Sequence, residues 1–205
     1  TLSESYVGGT VSGRNAGGIA GLSRGTIEAS YSTADVGNEG NVGGIAGNQG
    51  NEGIIRDVYV AGEISSSDRS GGIAGLTGGT VTDSYWDTDV TGQQSATGLG
   101  STGSNVEGLA TTDMKGSAAT SNMSGLDFSA TWDVVETGGV SYPYLQNNTQ
   151  TPEPGLVADL ALQDGSSDQL DFSAEVSAGS DNNPMGILSL EAGLAGATVD
   201  ELTVT

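Results

Sequence analysis

The sequence Gly17-Gly18-Ile19-Ala20-Gly21 recurs unchanged at residues 43–47 and 71–75. After each copy comes a turn, then Gly-x-Ile or Gly-x-Val, and four residues later a tyrosine. The aliphatic positions are Ile27, Ile55 and Val81, and the tyrosines are Tyr31, Tyr59 and Tyr85, with Tyr6 in a partial unit before them. Three landmarks that move together define an internal repeat, which is the first feature to interpret in any sequence.

The repeat unit is 25–28 residues long and is punctuated by glycine. A unit of this length with short apolar segments is typical of one coil of a β-helix, in which equivalent residues of successive coils stack. We therefore predict an all-β fold, a right-handed parallel β-helix, with the hand taken from the general preference of parallel crossovers. The predicted ladders are Ile19, Ile45 and Ile73; Ile27, Ile55 and Val81; and Tyr6, Tyr31, Tyr59 and Tyr85.

These elements resemble the GLUG repeats of bacterial and archaeal surface and adhesin-like proteins. The resemblance covers residues about 1–145. It continues through Ser84-Tyr85-Trp86-Asp87-Thr88 and Tyr142-Pro143-Tyr144-Leu145, which look like parts of the segment that closes such arrays. The resemblance implies a β-helical architecture and an extracellular or cell-surface location.

The chain divides into four predicted regions. Residues 1–90 are the repeats, and 91–145 are a cap over the open end of the solenoid, with a short helix near Thr111 to Lys115 that Thr111 or Thr112 begins. Residues 146–155 contain Pro152 and Pro154 and are a linker. Residues 156–205 alternate apolar and polar positions and form a small β-sandwich-like segment, an incomplete immunoglobulin-like sandwich. Either a neighbouring copy completes it, or this chain is part of a longer one.

The charge of the chain excludes several kinds of partner. It has 26 acidic and 5 basic residues, a formal net charge of −21. Nucleic acid and anionic membranes both attract Lys and Arg, so neither is a predicted partner. No apolar run approaches the roughly 20 residues of a membrane span, so no membrane insertion is predicted within this chain. The composition is of the haloarchaeal type, because molar salt screens repulsion between carboxylates; an acidic secreted protein of an ordinary habitat is the alternative.

Residue types that usually carry catalysis are scarce. The chain has no His and no Cys and a single lysine, Lys115, so it is predicted not to be an enzyme and to need no cofactor. Asp83, Asp87 and Asp89 are the candidate residues for two other activities. They are a candidate Ca²⁺ site, because carboxylate oxygens suit that ion, and a remote candidate for a β-helical polysaccharide-degrading enzyme. Solvated or structural carboxylates are the simpler interpretation.

Asn122 and Asn147 each begin an Asn-x-Ser/Thr sequence, the acceptor signal for N-glycosylation. The signal is short, and it agrees with an exported glycoprotein.

The sequence therefore predicts a structural extracellular protein, a subunit of a cell-surface filament or stalk whose copies join end to end by β-complementation in high salt. Its predicted partner is itself. The alternative is an adhesin or carbohydrate-binding module that recognises surface glycans through exposed rows of tyrosine and aspartate side chains.

Overall fold

A computed structural model of the chain describes residues 1–66, 68–136 and 140–148. These residues form mainly β-strands, and parallel sheets stack into a β-solenoid of about four turns, which confirms the predicted β-helix. The predicted sandwich-like segment 156–205 and residues 149–155 of the predicted linker lie outside the described residues. The right-handed winding stays a prediction.

Each of the first three coils has four strands. The first coil has β1 (Tyr6–Val7), β2 (Thr10–Ser12), β3 (Asn15–Gly17) and β4 (Ala20–Ser23). The second has β5 (Thr26–Ser32), β6 (Asp35–Asn38), β7 (Asn41–Gly43) and β8 (Ala46–Gln49). The third has β9 (Ile54–Val60), β10 (Ile64–Ser66), β11 (Arg69–Gly71) and β12 (Ala74–Thr77).

The remaining elements complete the solenoid and a segment beside it. They are β13 (Thr80–Asp87), helix α1 (Thr88–Thr91), β14 (Thr97–Leu99), β15 (Val106–Leu109), a 3-10 helix (Thr111–Met114), helix α2 (Gly116–Asn122), β16 (Trp132–Asp133) and β17 (Tyr144–Leu145). None of the helices among the described residues has the length and apolar character that crossing a membrane requires.

Equivalent strands of successive coils pair in parallel and make four sheets. Sheet I has the order β1-β5-β9-β13-β15, sheet II β2-β6-β10, sheet III β3-β7-β11, and sheet IV β4-β8-β12-β14. A separate antiparallel pair joins β16 to β17. The backbone hydrogen bonds therefore run from coil to coil along the solenoid.

The three glycine-framed pentapeptides lie directly above one another. The Ile19 N–H donates to the Ile45 carbonyl at 3.0 Å, and the Ile45 N–H donates to the Ile73 carbonyl at 2.9 Å. Ile45 and Ile73 are fully buried, whereas Ile19 is half-buried because none of the described residues forms a coil on its outer side. Ile27 pairs with Ile55, and Ile55 with Val81, in the same interior cluster.

A left-handed residue stands two positions before the tyrosine position of every coil. The positive φ angles are 44° at Glu4 and Ala29, 55° at Asp57, 46° at Asp83 and 53° at Asn105. Each of these residues is one extra residue in the inward and outward alternation of side chains along its sheet I strand. The pairing of β9 with β13 accordingly skips from Arg56–Thr82 to Val58–Ser84. Consequently the side chains after the insertion change faces, and the tyrosines point away from the solenoid interior.

We expect Asn105→Val to lower the free energy of unfolding by about 1–2 kcal/mol, because a β-branched residue fits the left-handed region poorly. The substitution also removes the hydrogen bond from Asn105 Nδ2 to Asp83 Oδ1 at 2.9 Å. Urea unfolding in molar salt measures the change, with Asn105→Gly as the matched control that keeps the backbone conformation accessible. An equal loss of unfolding free energy in both variants would show that the positive φ at residue 105 does not matter for stability.

The pentapeptide glycines bring two sheets into backbone contact. A Cβ on Gly47 would lie 2.5 Å from the Asn15 carbonyl carbon, and one on Gly75 would lie 2.4 Å from the Val42 nitrogen. None of the pentapeptide glycines is among the residues with positive φ. Close approach of the backbones, and not a positive φ, is therefore the reason for glycine at these positions.

The solenoid continues beyond the predicted boundary at residue 90. Strand β14 pairs with β12, and β15 pairs with β13. Helix α1 follows β13 along the chain as β2, β6 and β10 follow the sheet I strands of the earlier coils. Ala96 takes the place of Ile73 in the next coil, because its carbonyl accepts the Ile73 N–H at 2.8 Å. Residues 97–109 thus belong to the solenoid and not to a separate cap.

Candidate functional site

The tyrosine row runs along the outer face of sheet I. Tyr6 pairs with Tyr31, Tyr31 with Tyr59, and Tyr59 with Tyr85. The rings of Tyr6 and Tyr31 stack with centroids 5.4 Å apart, and those of Tyr31 and Tyr59 with centroids 4.9 Å apart. Tyr31, Tyr59 and Tyr85 are buried, and Tyr6 alone of the four is 45% exposed.

A covering segment (residues 111–136 and 140–148) buries this row. The shared cluster contains the apolar side chains Met114, Ala119, Met123, Leu126, Trp132 and Leu145. Trp132 is fully buried, with its ring centroid 5.6 Å from that of Tyr59. The predicted cap over an open solenoid end is therefore corrected: the segment lies along one side, because the left-handed residues turn the large aromatic rings outward.

Hydrogen bonds attach the covering segment to the coils. The Tyr59 hydroxyl donates to the Pro143 carbonyl at 2.7 Å, and the Tyr85 hydroxyl accepts from the Gly125 N–H at 2.8 Å. Asn148 Nδ2 reaches the Glu4 carbonyl of the first coil at 2.8 Å. Burial raises the pKa of the Tyr59 hydroxyl well above its usual value. The segment therefore braces the solenoid along its length.

The short predicted helix differs in its details. A 3-10 helix spans Thr111–Met114, but Ala110 begins it and no side chain caps it. The Thr111 hydroxyl instead donates to Asp87 Oδ2 at 2.7 Å. The sequence does not predict helix α2, because its small and polar residues after Gly116 give little helical signal.

Asp87 joins the solenoid to the covering segment. It is fully buried, and its Oδ1 accepts the backbone N–H groups of Asp89 at 2.9 Å and Val90 at 3.0 Å, which caps helix α1. Its Oδ2 accepts from the Thr111 and Tyr142 hydroxyls. Burial, followed by the hydrogen bond to Asp87, raises the pKa of the Tyr142 hydroxyl, and Lys115 Nζ lies 4.5 Å from the Tyr142 ring centre.

We expect Asp87→Asn to lower the free energy of unfolding by roughly 1.5–3 kcal/mol. Four donors bond to the two carboxylate oxygens of Asp87, whereas an amide has a single acceptor oxygen and no negative charge. The matched control is Asp89→Asn, since exposed Asp89 accepts one hydrogen bond, from the Thr111 N–H at 3.0 Å, which an amide oxygen also accepts. Equilibrium urea unfolding compares the two, and an equal loss in both would contradict the role given to Asp87.

The three predicted calcium ligands do not come together. Among the described residues, no group of three or more carboxylate, His or Cys side chains has a metal-binding arrangement. Asp83 Oδ1 accepts from Asn105, Asp87 is occupied by hydroxyl and backbone donors, and Asp89 accepts from Thr111. The candidate site is therefore corrected to three structural carboxylates, because each already has its own hydrogen-bond donors.

Asp57 makes a further polar contact beneath the covering segment. It accepts from Trp132 Nε1 at 2.9 Å. Burial is the largest influence on it and raises the pKa of its carboxyl, and the Trp132 hydrogen bond opposes that rise. The folded chain therefore holds the Asp57 proton more tightly than the unfolded chain does.

The contribution of Asp57 to stability is therefore fully present below its unfolded pKa and is lost as the pH rises through its folded pKa. We expect Asp57→Asn to remove this dependence, because asparagine still accepts from Trp132 and tolerates positive φ. The free energy of unfolding of the variant minus that of wild type should therefore increase as the pH rises from about 3 to about 7, because only wild type loses the Asp57 contribution. Urea midpoints across that range measure the difference; a difference that does not change with pH would contradict the expectation.

The two predicted glycosylation sites have different surroundings. Asn122 is exposed at the end of α2, its Nδ2 lies 3.3 Å from the Asp113 carbonyl, and Ser124 is exposed. Asn147 is exposed, and Thr149 of its acceptor sequence lies outside the described residues. Glycosylation of both stays a prediction.

Comparison with known proteins identifies a relative of part of this chain. No protein-family model matches, so membership of the GLUG repeat family stays a prediction, and no solved structure matches. Halomucin from Haloquadratum walsbyi (strain DSM 16790 / HBSQ001) is 34% identical over 142 residues. The alignment covers 61% of this chain, and the chain spans about 2% of the length of Halomucin. The chain is thus similar in sequence to a small part of a haloarchaeal protein.

Proposed function

We propose that this chain is a non-catalytic structural module of the surface of a halophilic archaeon, part of a filament or stalk in which copies join end to end. Its similarity to Halomucin, a haloarchaeal surface protein, supports the location. The observation that carries the structural role is the continuous solenoid braced along its side by the covering segment.

The bracing gives the module mechanical stiffness. The first three coils are joined through all four sheets, and the fourth coil is joined to the third through sheets I and IV. The covering segment contacts the first coil at Glu4 and the fourth at Asp87. Bending the solenoid would separate the stacked rings of Tyr31 and Tyr59 from Trp132. Because interactions between adjacent repeats add along a solenoid, a lateral brace raises the cooperativity of the whole rod.

The charge suits this surface to concentrated salt. With a formal net charge of −21, the acidic side chains would repel one another strongly at low ionic strength. At 1 M salt the Debye length falls to about 3 Å, and this repulsion is screened. Carboxylates on separate coils then interact weakly, and the acidic surface keeps the module hydrated and soluble.

Carbohydrate binding through a tyrosine platform is not supported. The predicted exposed row is buried at Tyr31, Tyr59 and Tyr85, so their ring faces are closed to a sugar. A shallow groove over sheet II is lined in part by Thr10, Asp35, Glu63 and Ser65, and none of its lining residues is aromatic. The structural role is therefore the function that the geometry favours.

Two measurements test the proposal. Antibodies against the folded chain should label intact cells of the source organism, and label that appears only after lysis would contradict the surface location. In single-molecule stretching in molar salt, the solenoid should unfold in one cooperative step with a clear force peak. Extension without a peak would contradict the mechanical role.

A further inference from the structure

We propose that crowded copies of this chain exchange their covering segments, so that the segment of one copy docks on the tyrosine row of another. The partner is a second copy of the chain, and the surface is the outer face of sheet I. The inference rests on the proposed structural function and names the contact through which copies become linked.

The coils have a core that does not include the covering segment. Among the described residues, the interior cluster of the solenoid draws on residues 7–106 alone. The buried tyrosines belong to a second cluster, which they share with the covering segment. The pairing of the coils through sheets I to IV uses strands that end at Leu109. Removing the segment would therefore expose the tyrosine row and leave the solenoid interior closed.

The covering segment, by contrast, needs a tyrosine row to fold against. Its elements are a 3-10 helix of 4 residues, a helix of 7 and one pair of two-residue strands. Helices shorter than about 12 residues and isolated strand pairs are marginal in water. Trp132, its largest fully buried side chain, lies against Tyr31 and Tyr59. A released segment therefore gains its structure by docking on a tyrosine row, and every copy presents the same row.

Side chains attach the segment to the coils. The hydrogen bonds described above between the segment and the coils each have a side chain as donor or acceptor. Strands β16 and β17 pair with each other, separately from sheet I. Such a contact can open and form again while the backbone pairing of the coils stays intact, which exchange of an element between copies requires.

One residue connects the coils with the covering segment. Strand β15 ends at Leu109 and the 3-10 helix begins at Thr111, so Ala110 is the connection. Its backbone is extended, with φ −70° and ψ 154°. A short connection of this kind favours exchange, because it restricts the return of the segment onto its own copy.

Salt controls the release of the segment. The described residues of the segment include four carboxylates and one lysine, and the coils that they cover belong to an acidic chain. Burial most strongly, and the carboxylates of Asp127 in the segment and Asp83 in the coils as well, raise the pKa of Asp57. Docking therefore brings carboxylates of the two parts together, and low ionic strength favours release.

Concentration decides between the closed and the exchanged forms. A segment connected to its own coils competes at an effective concentration on the order of 1 mM. Dilute copies therefore stay closed, whereas copies crowded on a surface or in a filament exchange. Reciprocal exchange gives a dimer, and exchange in one direction from each copy to the next repeats without closing and produces a filament.

A cycle of salt concentration tests the exchange in the wild-type chain. Release at low ionic strength followed by return to molar salt at about 1 mM protein should give dimers and longer species, and the same cycle at about 1 µM should give monomers. Light scattering measures the mass, and monomers alone after both cycles would overturn the proposal. A short Gly-Ser linker inserted after Ala110 should lower the linked fraction roughly tenfold, because it lets the segment return to its own copy. An unchanged fraction would also overturn it.

Cysteine cross-linking identifies the contact, because the chain contains no cysteine of its own. A Cβ built on Gly125 would lie 2.8 Å from the Asp83 Cβ, close to the roughly 3.5–4.5 Å that a disulfide spans. A closed copy of D83C or of G125C holds one cysteine and cannot form this bond by itself. After the concentrated salt cycle, a mixture of the two single variants should form a mixed dimer under mild oxidation.

The controls distinguish exchange from collision. G125C with L22C, a position 53% exposed on sheet IV, should cross-link roughly tenfold less than G125C with D83C, because only random encounters bring the first pair together. Equal yields from the two pairs would overturn the exchange in favour of unspecific contact. If D83C does not fold, the wild-type cycle and the linker insertion still decide. Failure of the exchange would leave the cell-surface labelling unchanged, so the two proposals fail separately.

Discussion

Replacing Trp132 by alanine is expected to lower the free energy of unfolding by about 3–5 kcal/mol, the usual cost of deleting a fully buried Trp or Phe side chain. Trp132 is fully buried and contacts the stacked rings of Tyr31 and Tyr59. Its removal leaves a cavity between the covering segment and the solenoid, and it leaves Asp57 without its indole donor. The loss therefore combines packing and an unpaired polar group.

Urea unfolding followed by circular dichroism in molar salt measures this change. Trp132→Phe is the matched control, since it retains most of the ring and loses only the hydrogen bond to Asp57; its loss should be about 1–3 kcal/mol. If Trp132→Ala unfolds at the same urea concentration as wild type, the covering segment does not brace the solenoid, and the lateral packing described for it is wrong.

Gly43→Ala is expected to destabilise the chain by about 3 kcal/mol, the upper part of the range for overpacking, because the clash is with backbone atoms that cannot rotate away. The added methyl would meet the Ala46 carbonyl oxygen and the Ala74 Cα of the next coil. Either the coils separate locally or the pentapeptide distorts, and both weaken the Ile45–Ile73 hydrogen bond beside it.

Gly13→Ala provides the control for Gly43→Ala. No atom lies within 4 Å of a Cβ built on Gly13, and its φ is not positive. Alanine there should be neutral or should stabilise by up to about 1 kcal/mol, by restricting the unfolded chain. Thermal unfolding of both variants beside wild type distinguishes the two positions, and similar midpoints for the two variants would show that close stacking of the coils is absent.

The stacking of the coils can be predicted from the sequence because the repeat contains it directly. Each coil carries the same residues at equivalent positions, so aligning the pentapeptides at residues 17–21, 43–47 and 71–75 gives the register of sheets III and IV. The Gly-x-Ile/Val and tyrosine landmarks give the register of sheet I. The predicted rows of Ile19, Ile45 and Ile73 and of the four tyrosines follow from this alignment alone.

The outward orientation of the tyrosines does not follow from the alternation of residues along the strand. It depends on a left-handed residue in each coil, and Ala29 shows why: alanine seldom adopts positive φ, and nothing in its local sequence marks it. Asp57 and Asp83 tolerate the conformation better, but aspartate is equally common in ordinary turns, where φ is negative. Without the one-residue insertion, simple alternation places the tyrosines inside.

The solenoid extends further than the sequence predicts for a related reason. The fourth coil has Ser95, Ala96 and Thr97 where earlier coils have the pentapeptide. The last pentapeptide therefore ends at residue 75 and the last tyrosine of the repeat is Tyr85, although the solenoid continues to Leu109. A remaining signal is Gly98-Leu99, which matches Gly75-Leu76.

The candidate calcium site shows a different limit of the sequence. Asp83, Asp87 and Asp89 form a group because they are close along the chain, whereas the fold directs each carboxylate to different donors. Two of those donors, Thr111 and Tyr142, belong to the covering segment and lie far away in sequence. No pattern around the aspartates indicates these long-range partners.

Nuclear Overhauser contacts between coils, measured on the labelled chain in molar salt, test the stacked solenoid most directly. Cross-peaks should connect the Ile45 amide with residues around Ile73, and the Ile19 amide with residues around Ile45, because each donates to the next coil at 2.9–3.0 Å. Contacts confined to neighbours in sequence, with none between the three pentapeptides, would contradict the solenoid and the structural function proposed from it.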